Sequence, residues 1–100
     1  MKKIYIAGKV TGLTYSQAYN NFKKIEDQLQ ANGFQVVNPM NIVPKETTSW
    51  HEAMKICIKA LMECDGIYLL SNWKESSGAK LESELASKLA LNFITQKDLK

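Results

Sequence analysis

One acidic residue falls where the sequence predicts an apolar helix face. Residues 78–91 have the pattern of a helix, and at about 100° per residue its apolar side chains centre near about 290° when Ala79 is set at zero. Glu82 lies at about 300°, in the middle of that face and in the first turn of the predicted helix. An unpaired buried carboxylate destabilises a fold by several kcal/mol, so Glu82 requires a partner, a ligand or a raised pKa.

Two interpretations of Glu82 stay open from this pattern. The carboxylate either satisfies amide groups at the N-terminus of its helix, where the helix dipole favours acidic residues, or it is a functional carboxylate. Ser76, Ser77 and Gly78 precede it, and the amides of such a segment can form an anion site. The ordinary alternative is that a serine caps the helix, and we favour the cap.

The loop after the first predicted strand is a second candidate. The segment from Gly8 to Gly12, GKVTG, lacks the G-x-G-x-x-G spacing of a dinucleotide site and is not a P-loop. Its glycines offer a turn at which a flat ligand can approach the backbone closely.

Histidine, cysteine and metal chemistry are not expected. His51 is the only histidine and lies off the apolar stripe of its predicted helix, so we expect it to be exposed. Cys57 lies on the buried face, which raises the pKa of a thiol and argues against a Cys-His nucleophilic pair. No residues have metal-ligand spacing, and we predict neither a metal site nor a cofactor.

Length and composition limit the class of protein. The chain has 100 residues, 45% of them hydrophobic and 23% charged, which predicts one globular domain over residues 1–100. Its net charge is +3 with scattered lysines, so nucleic acid is not an expected partner. We find no signal peptide and no apolar run long enough for a membrane span. Cys57 and Cys64 would lie about 10 Å apart on one helix, too far for a bridge, and free thiols are typical of the cytoplasm.

The sequence predicts strands and helices in alternation. Capping boxes predict the starts of two helices, at Thr14 with Gln17 and at Ser49 with Glu52. The stretch 40–48 has no clear period and is predicted to be a surface loop. The other predicted elements are strands at 3–8, 34–39, 66–71 and 92–95, a helix at 78–91, and loops at 8–13 and 72–77.

Helical spacing predicts which residues face the core. Gly33 is placed to end the first helix. The predicted apolar stripe of that helix holds Ala18, Phe22, Ile25 and Leu29. The predicted apolar face of the second helix holds Trp50, Ala53, Met54, Cys57, Ala60, Leu61 and Cys64.

Alternating strands and helices predict an α/β fold. We expect a three-layer Rossmann-like or flavodoxin-like sandwich with a parallel sheet of four, or five, strands. Ligands of such sheets bind beyond the carboxyl ends of the strands, which here are the loops after Gly8, Asn38 and Ser71. Glu82 is expected at the same edge.

Five segments carry a further signal: KIYIAG with the T-G that follows, VVNP, the W-x-x-x-M of Trp50 and Met54, CDGIYLL, and NWKESSGAKLESELA. Over nearly the whole chain they resemble the nucleoside 2-deoxyribosyltransferase-like superfamily, in particular its branch of small bacterial and phage-type proteins. The most specific element is S-x-G-x-x-x-E, here Ser76, Gly78 and Glu82, which is similar to the catalytic signature of that superfamily.

The resemblance implies a reaction and roles for several residues. In active relatives the glutamate attacks the anomeric carbon of a deoxynucleoside or its 5′-monophosphate, expels the base and forms a covalent deoxyribosyl-enzyme. Glu82 would be that nucleophile. The resemblance also implies that Ser76 and the amides at Gly78 border the sugar or its 5′-phosphate. Tyr5 would flank the substrate, and Gly8 would form the adjoining turn.

Two positions depart from the pattern of the relatives. An aspartate usually stands eight residues before the aspartate that opens strand three, and this chain has Cys57 there; a thiol cannot replace a carboxylate. In the loop after strand one, relatives carry Gly-Pro or an arginine, whereas this chain has Lys9 and Thr11, so Lys9 is the charge left for a phosphate. Since relatives share sites between subunits, the resemblance also implies a homodimer or higher homo-oligomer.

Three functions are compatible with the sequence. The first is an N-glycosidic hydrolase or transferase that acts on a deoxynucleoside or deoxynucleotide through Glu82. The second is a catalytically impaired module that binds a nucleoside or nucleotide, in which Cys57 records the lost activity. The third is an interaction protein that uses Trp50, Trp73 and the loop at 40–48.

Overall fold

The computed structural model describes residues 2–45 and 49–100 and shows strands and helices in alternation. None of the helices in these two ranges is long and apolar enough to cross a membrane. Short 3-10 turns lie at 73–75 and 96–98. The elements are β1 (Lys3–Ala7), α1 (Tyr15–Ala31), β2 (Gln35–Val37), α2 (Pro39–Ile42), α3 (Trp50–Met62), β3 (Gly66–Leu69), α4 (Ser77–Lys88) and β4 (Asn92–Ile94).

The four strands form one parallel sheet in the order β2-β1-β3-β4. This confirms the prediction of an α/β Rossmann-like or flavodoxin-like fold, with four strands. From β1 the chain continues to the neighbour on one side, β2, and then crosses to the neighbour on the other side, β3. The gap between β1 and β3 is therefore the topological switch point, where sheets of this kind bind ligands beyond the carboxyl ends of their strands.

The sheet separates two apolar clusters and makes three layers. On one face α1 covers the sheet, and its four predicted stripe residues are all buried. On the other face α3 and α4 pack side by side. The first cluster consists of Ile4, Ile6, Phe22, Ile25, Leu29, Tyr68 and Leu70. The second consists of Tyr5, Ala7, Cys57, Leu61, Cys64, Ile67, Ala79 and Ala86.

Side-chain caps start the long helices where the sequence predicts them. The capping box of α1 is confirmed, because Thr14 accepts from the Gln17 amide and the Gln17 side chain accepts from the Thr14 amide. At α3, Ser49 accepts from the Glu52 amide, which is the N-cap half of the predicted box. Each cap satisfies an amide that the first helical turn leaves without a partner.

Several predicted boundaries are wrong. The stretch predicted as a loop at 40–48 starts inside the short helix α2, because Asn38 caps that helix and Pro39 takes its first position, where an amide hydrogen is not needed. Residues 46–48 of the predicted loop lie outside the described residues. The last helix begins one residue before Gly78 and ends at Lys88, and Ala90 has a positive φ of 57°. Each strand is one to three residues shorter than predicted.

Some side chains predicted to be buried are exposed. Trp50 is 47% exposed, because it is the first residue of α3 and lies where that helix borders an open cavity. Leu81, Leu89 and Phe93, which helical spacing places on the apolar side of the last predicted helix, are also exposed.

A buried polar cluster joins α1 to the turn after β2. The Glu26 carboxylate accepts hydrogen bonds from the side-chain amides of Asn38, at 3.4 Å, and Asn41, at 3.3 Å. The Lys23 ammonium lies 3.8 Å from the same carboxylate. Asn38 also accepts from the Met40 amide as the cap of α2. Glu26 therefore fixes the β2–α2 turn against α1.

Candidate functional site

A cavity of about 350 Å³ opens at the carboxyl edge of the sheet, beside the end of β1. Its walls are the loop after β1, the start of α1, the segment after β2, the first half of α3 and the start of α4. Six of the seven residues predicted for the site line it: Tyr5, Gly8, Cys57, Ser76, Gly78 and Glu82. The fold therefore brings together residues that lie up to 77 positions apart in the sequence.

Glu82 places a carboxylate inside this cavity. It lies in the second turn of α4 and is only 4% exposed, as its position on the helix predicts. Its Oε2 atom accepts a hydrogen bond of 2.5 Å from the Tyr5 hydroxyl. Burial raises the pKa of Glu82 from an ordinary value of 4.5 to about 7, and the hydrogen bond from Tyr5 opposes that rise.

The immediate partner of Glu82 excludes one of its two interpretations and leaves the functional carboxylate as a prediction. The Ser76 hydroxyl accepts from the Ala79 amide at 3.1 Å, which is the serine cap that we favour. The Glu82 carboxylate accepts from the Tyr5 phenol of another element, so the interpretation in which it satisfies amides of its own helix is wrong. The cap and the carboxylate have separate tasks at this helix terminus.

Tyr5 is held rigidly in the centre of the sheet. Its backbone pairs with Val37 of β2 on one side and Ile67 of β3 on the other, and its side chain is fully buried. Burial, together with the negative charge of Glu82, raises the pKa of the Tyr5 hydroxyl far above its ordinary value. The phenol is therefore a neutral hydrogen-bond donor that fixes one oxygen of the carboxylate.

Cys57 contributes a neutral thiol to the same wall. Burial and the nearby Glu82 raise the pKa of this thiol to about 11, and the adjacent Tyr5 hydroxyl opposes the rise. This confirms the prediction that burial on α3 suppresses the thiolate. His51 is exposed, as predicted, and does not line the cavity, so no Cys-His pair is formed.

Two glycines lie in close packing around the cavity. A Cβ at Gly78 would lie 2.9 Å from the Met54 sulfur, so the absence of a side chain lets α4 approach α3. A Cβ at Gly8 would lie 2.4 Å from Cδ1 of Leu70. Leu70 therefore occupies the space that the missing side chain of Gly8 leaves, while Gly8 itself lines the cavity, and close approach of a flat ligand to this turn stays a prediction.

Lys9 is the one predicted site residue that the fold directs elsewhere. Its amide donates to the Asn72 side chain at 3.0 Å, and its ammonium lies 3.1 Å from Glu75. It is not among the residues that line the cavity. Residues of the turn after β3, which the sequence pattern does not connect to Lys9, hold its charge away from the site.

The mouth of the cavity contains two aromatic residues that were not among the predicted substrate-binding residues. Tyr15 and Trp50 line it, and both aromatic side chains are exposed. The Lys45 ammonium lies 4.5 Å from the centroid of the Tyr15 ring, a cation–π contact. The helix starts could have located both aromatic residues, because Tyr15 follows the cap Thr14 and Trp50 follows the cap Ser49.

Within residues 2–45 and 49–100, no three histidine, cysteine, aspartate or glutamate side chains come together as a metal site. In this part of the chain, the charged residues that line the cavity are Glu82 on its wall and Lys45 at its mouth. The chemistry that the described cavity offers is therefore that of a single carboxylate among neutral donors and aromatic rings.

Residues 2–95 match the family model described as domain of unknown function DUF4406. A comparison with curated proteins finds no match. The matched range includes every residue of the cavity.

Proposed function

The chain belongs to the family described as domain of unknown function DUF4406, and on the chemistry of the cavity we propose that it breaks N-glycosidic bonds. The proposed substrates are deoxynucleosides or deoxynucleoside 5′-monophosphates. The observation that carries the proposal is the Glu82 carboxylate, 4% exposed, accessible through the cavity and oriented by the Tyr5 hydroxyl.

A carboxylate in this setting suits attack on an anomeric carbon. Cleavage of an N-glycosidic bond passes through a transition state that resembles an oxocarbenium ion and carries positive charge on the sugar. A negative oxygen on a buried side chain stabilises that charge more strongly than one in bulk water does. Tyr5 holds one oxygen of Glu82, which leaves the other oxygen free to form the bond to the sugar.

The resemblance to the nucleoside 2-deoxyribosyltransferase-like superfamily supports the same roles. Its signature matches Ser76, Gly78 and Glu82, and all three residues line the cavity. In the proposed complex, Ser76 and the backbone at Gly78 border the sugar or its 5′-phosphate. Water would resolve the covalent intermediate in a hydrolase, and a second base would resolve it in a transferase.

The proposed setting is the cytoplasm, with the chain acting as a homodimer or higher homo-oligomer. Cys57 and Cys64 are both free in the structure, which supports a reducing compartment. The exposed apolar side chains of Leu81, Leu89 and Phe93 support a contact between copies of the chain.

The test incubates the protein with a panel of deoxynucleosides and their 5′-monophosphates, with and without an acceptor base. Chromatography measures the free base that is released. We expect release by the native protein and none above background for Glu82→Gln. The matched control is Glu84→Gln, the same change at an exposed carboxylate on the same helix. Equal release by the Glu82→Gln and native proteins would contradict the proposal.

A second candidate function is supported by Cys57. The resemblance places an aspartate there, whereas this protein has a thiol whose raised pKa keeps it neutral. A protein without that carboxylate is a nucleotide-binding module if it binds substrate and does not turn it over. Such a module would show an increase in melting temperature with a nucleotide and no release of base.

The substitution Cys57→Asp separates the two candidates. If the thiol limits an enzyme, the restored carboxylate increases release of base, and the increase disappears in the double variant with Glu82→Gln. If Cys57→Asp gives no increase, the interpretation of Cys57 as a disabling change is wrong.

A further inference from the structure

The electrostatics of the cavity indicate the charge of its ligand. The Glu82 carboxylate is buried, and its hydrogen-bond partner, Tyr5, is a neutral phenol. The nearest thiol, Cys57, is neutral as well. A carboxylate buried among neutral groups is left with uncompensated negative charge when it ionises, and a cationic group nearby is the complement that stabilises it.

The proton donors beside Glu82 bind their protons firmly. Burial raises the pKa of both the Tyr5 hydroxyl and the Cys57 thiol, so both are poorer acids than in water. The Ser76 hydroxyl, which also lines the cavity, is an aliphatic alcohol and does not ionise near neutral pH. A neutral purine or pyrimidine needs a proton as it departs, because otherwise it leaves as an anion. These residues are poorly suited to supply that proton.

We propose that the preferred substrates of this cavity are N-glycosides whose base is positively charged, such as pyridinium or N-alkylated purinium nucleosides and nucleotides. This proposal rests on the proposed function and names its substrate class. Such a base leaves without a proton: the bond between C1′ and the ring nitrogen breaks, both electrons go to the nitrogen, and the base departs neutral. An oxygen of Glu82 forms the new bond to C1′, so charge and atoms balance with no further reactant.

A cationic ligand would also favour ionisation of the nucleophile, Glu82. A positive ring nitrogen next to Glu82 favours the ionised carboxylate, which is the form that attacks. Among residues 2–45 and 49–100, the titratable groups next to Glu82 in the cavity are Tyr5 from β1 and Cys57 from α3, and neither carries a charge that competes with this effect. A neutral base gives no such help.

The aromatic mouth fits the same ligand class. Tyr15 and Trp50 present exposed rings there, and aromatic faces attract planar cations. The Tyr15 ring already has a cation over its face, the Lys45 ammonium at 4.5 Å. That ammonium would lie at the mouth, where a 5′-phosphate of a bound nucleotide is complementary to it.

The first experiment compares substrates that differ in the charge of the base. Release of base is measured from nicotinamide deoxyriboside, from 7-methyl-2′-deoxyguanosine and from 2′-deoxyguanosine, with native protein, Glu82→Gln and Glu84→Gln. Each rate is divided by the rate in buffer, because a cationic base also departs faster without protein. We expect the acceleration for the cationic bases to exceed that for 2′-deoxyguanosine by about a hundredfold or more and to depend on Glu82.

The second experiment measures binding without turnover. The probes are nicotinamide and its cation methylated on the ring nitrogen, which have nearly the same shape. We expect the native protein to bind the cation at least about tenfold more tightly at pH 8 and Glu82→Gln to lose that preference. The melting temperature of Glu82→Gln without ligand shows whether the variant is folded.

The outcomes distinguish this proposal from the proposed function. Equal acceleration for neutral and cationic bases, or binding without preference for the cation, overturns the substrate class and leaves the proposed function standing. No release from any substrate, or release that does not depend on Glu82, overturns the proposed function and the substrate class with it. Release restricted to cationic bases supports both.

Discussion

Two glutamates are buried in the part of the chain that the structure describes, and their surroundings are opposite. Glu26 is 8% exposed and is surrounded by donors, the side-chain amides of Asn38 and Asn41 and the ammonium of Lys23. Glu82 is 4% exposed, accepts from the neutral Tyr5 phenol and borders a cavity. Burial alone therefore does not mark a functional carboxylate. The hydrogen-bond partners distinguish the two cases. A carboxylate with several donors already has its hydrogen bonds satisfied, whereas one with few donors can accept hydrogen bonds from a ligand.

The largest expected difference between the two glutamates is in catalysis. In the proposed reaction Glu82→Gln removes the nucleophile, and we expect release of base to fall by about a thousandfold or more. Glu26→Gln keeps the same shape at a carboxylate that does not itself line the cavity, and we expect release within about twofold of the native rate. Initial rates on the best substrate of the panel measure both variants. A comparable loss in both would show that the two carboxylates do not differ in function.

The next difference is in the dependence of stability on pH. Glu82 has a folded-state pKa raised from 4.5 to about 7, so between these pH values the folded protein holds a proton that the unfolded chain has lost. The free energy of unfolding therefore falls as pH rises through this window, by about 3 kcal/mol at about 1.4 kcal/mol per pH unit.

Urea unfolding at pH 5 and pH 8 tests this dependence. The native protein and Glu26→Gln should both lose stability towards pH 8, whereas Glu82→Gln should lose much less and should exceed the native protein at pH 8. If Glu82→Gln follows the native pH dependence, the titration belongs to another group.

A smaller effect on the free energy of unfolding is expected for substitution of Glu26. Glu26→Ala leaves the amides of Asn38 and Asn41 without their acceptor, and Asn38 is 2% exposed. We expect the free energy of unfolding to fall by about 2 kcal/mol at neutral pH. Thermal or urea unfolding checks this, and Glu84→Ala at an exposed position of α4 is the control. Equal stability of the two variants would show that the polar cluster contributes nothing.

The smallest predicted effect concerns the hydrogen bond to Glu82. Tyr5→Phe removes a donor that lowers the pKa of Glu82, so this pKa should rise further and the acidic limb of the pH–rate profile should move to higher pH. The free energy involved is about 1 kcal/mol, which corresponds to somewhat less than one pH unit. A profile that does not move, with the variant folded, would show that Tyr5 does not act through the carboxylate.

Most of the fold could be predicted from local signals. Strand composition, two N-caps and the spacing of apolar residues predict the order of the main elements and hence a parallel sheet. The short helix α2 was not predicted, because four residues are too few to show a helical periodicity. Its signals were present, since Asn38 and Pro39 are an N-cap residue and a first-turn residue.

The candidate site was predictable where it depends on one helix and not where it depends on contacts between distant segments. The position of Glu82 follows from helical geometry, and its burial is confirmed. Its bond to Tyr5 spans 77 positions, so no local pattern contains it. Lys9 illustrates the converse, because Asn72 and Glu75 belong to a turn that only the folded sheet brings to it.

The absence of a side chain at Gly78 affects how large the cavity is. Met54 lines the cavity, and its sulfur lies 2.9 Å from the place where a Cβ of residue 78 would be. The substitution Gly78→Ala would therefore displace the flexible Met54 side chain towards the cavity, and the volume available to a ligand would decrease. The contact between Gly78 of α4 and Met54 of α3 therefore affects both the packing of the two helices and the size of ligand that the cavity accepts. A descendant of this sequence could evolve a narrower selectivity at this contact without altering its carboxylate.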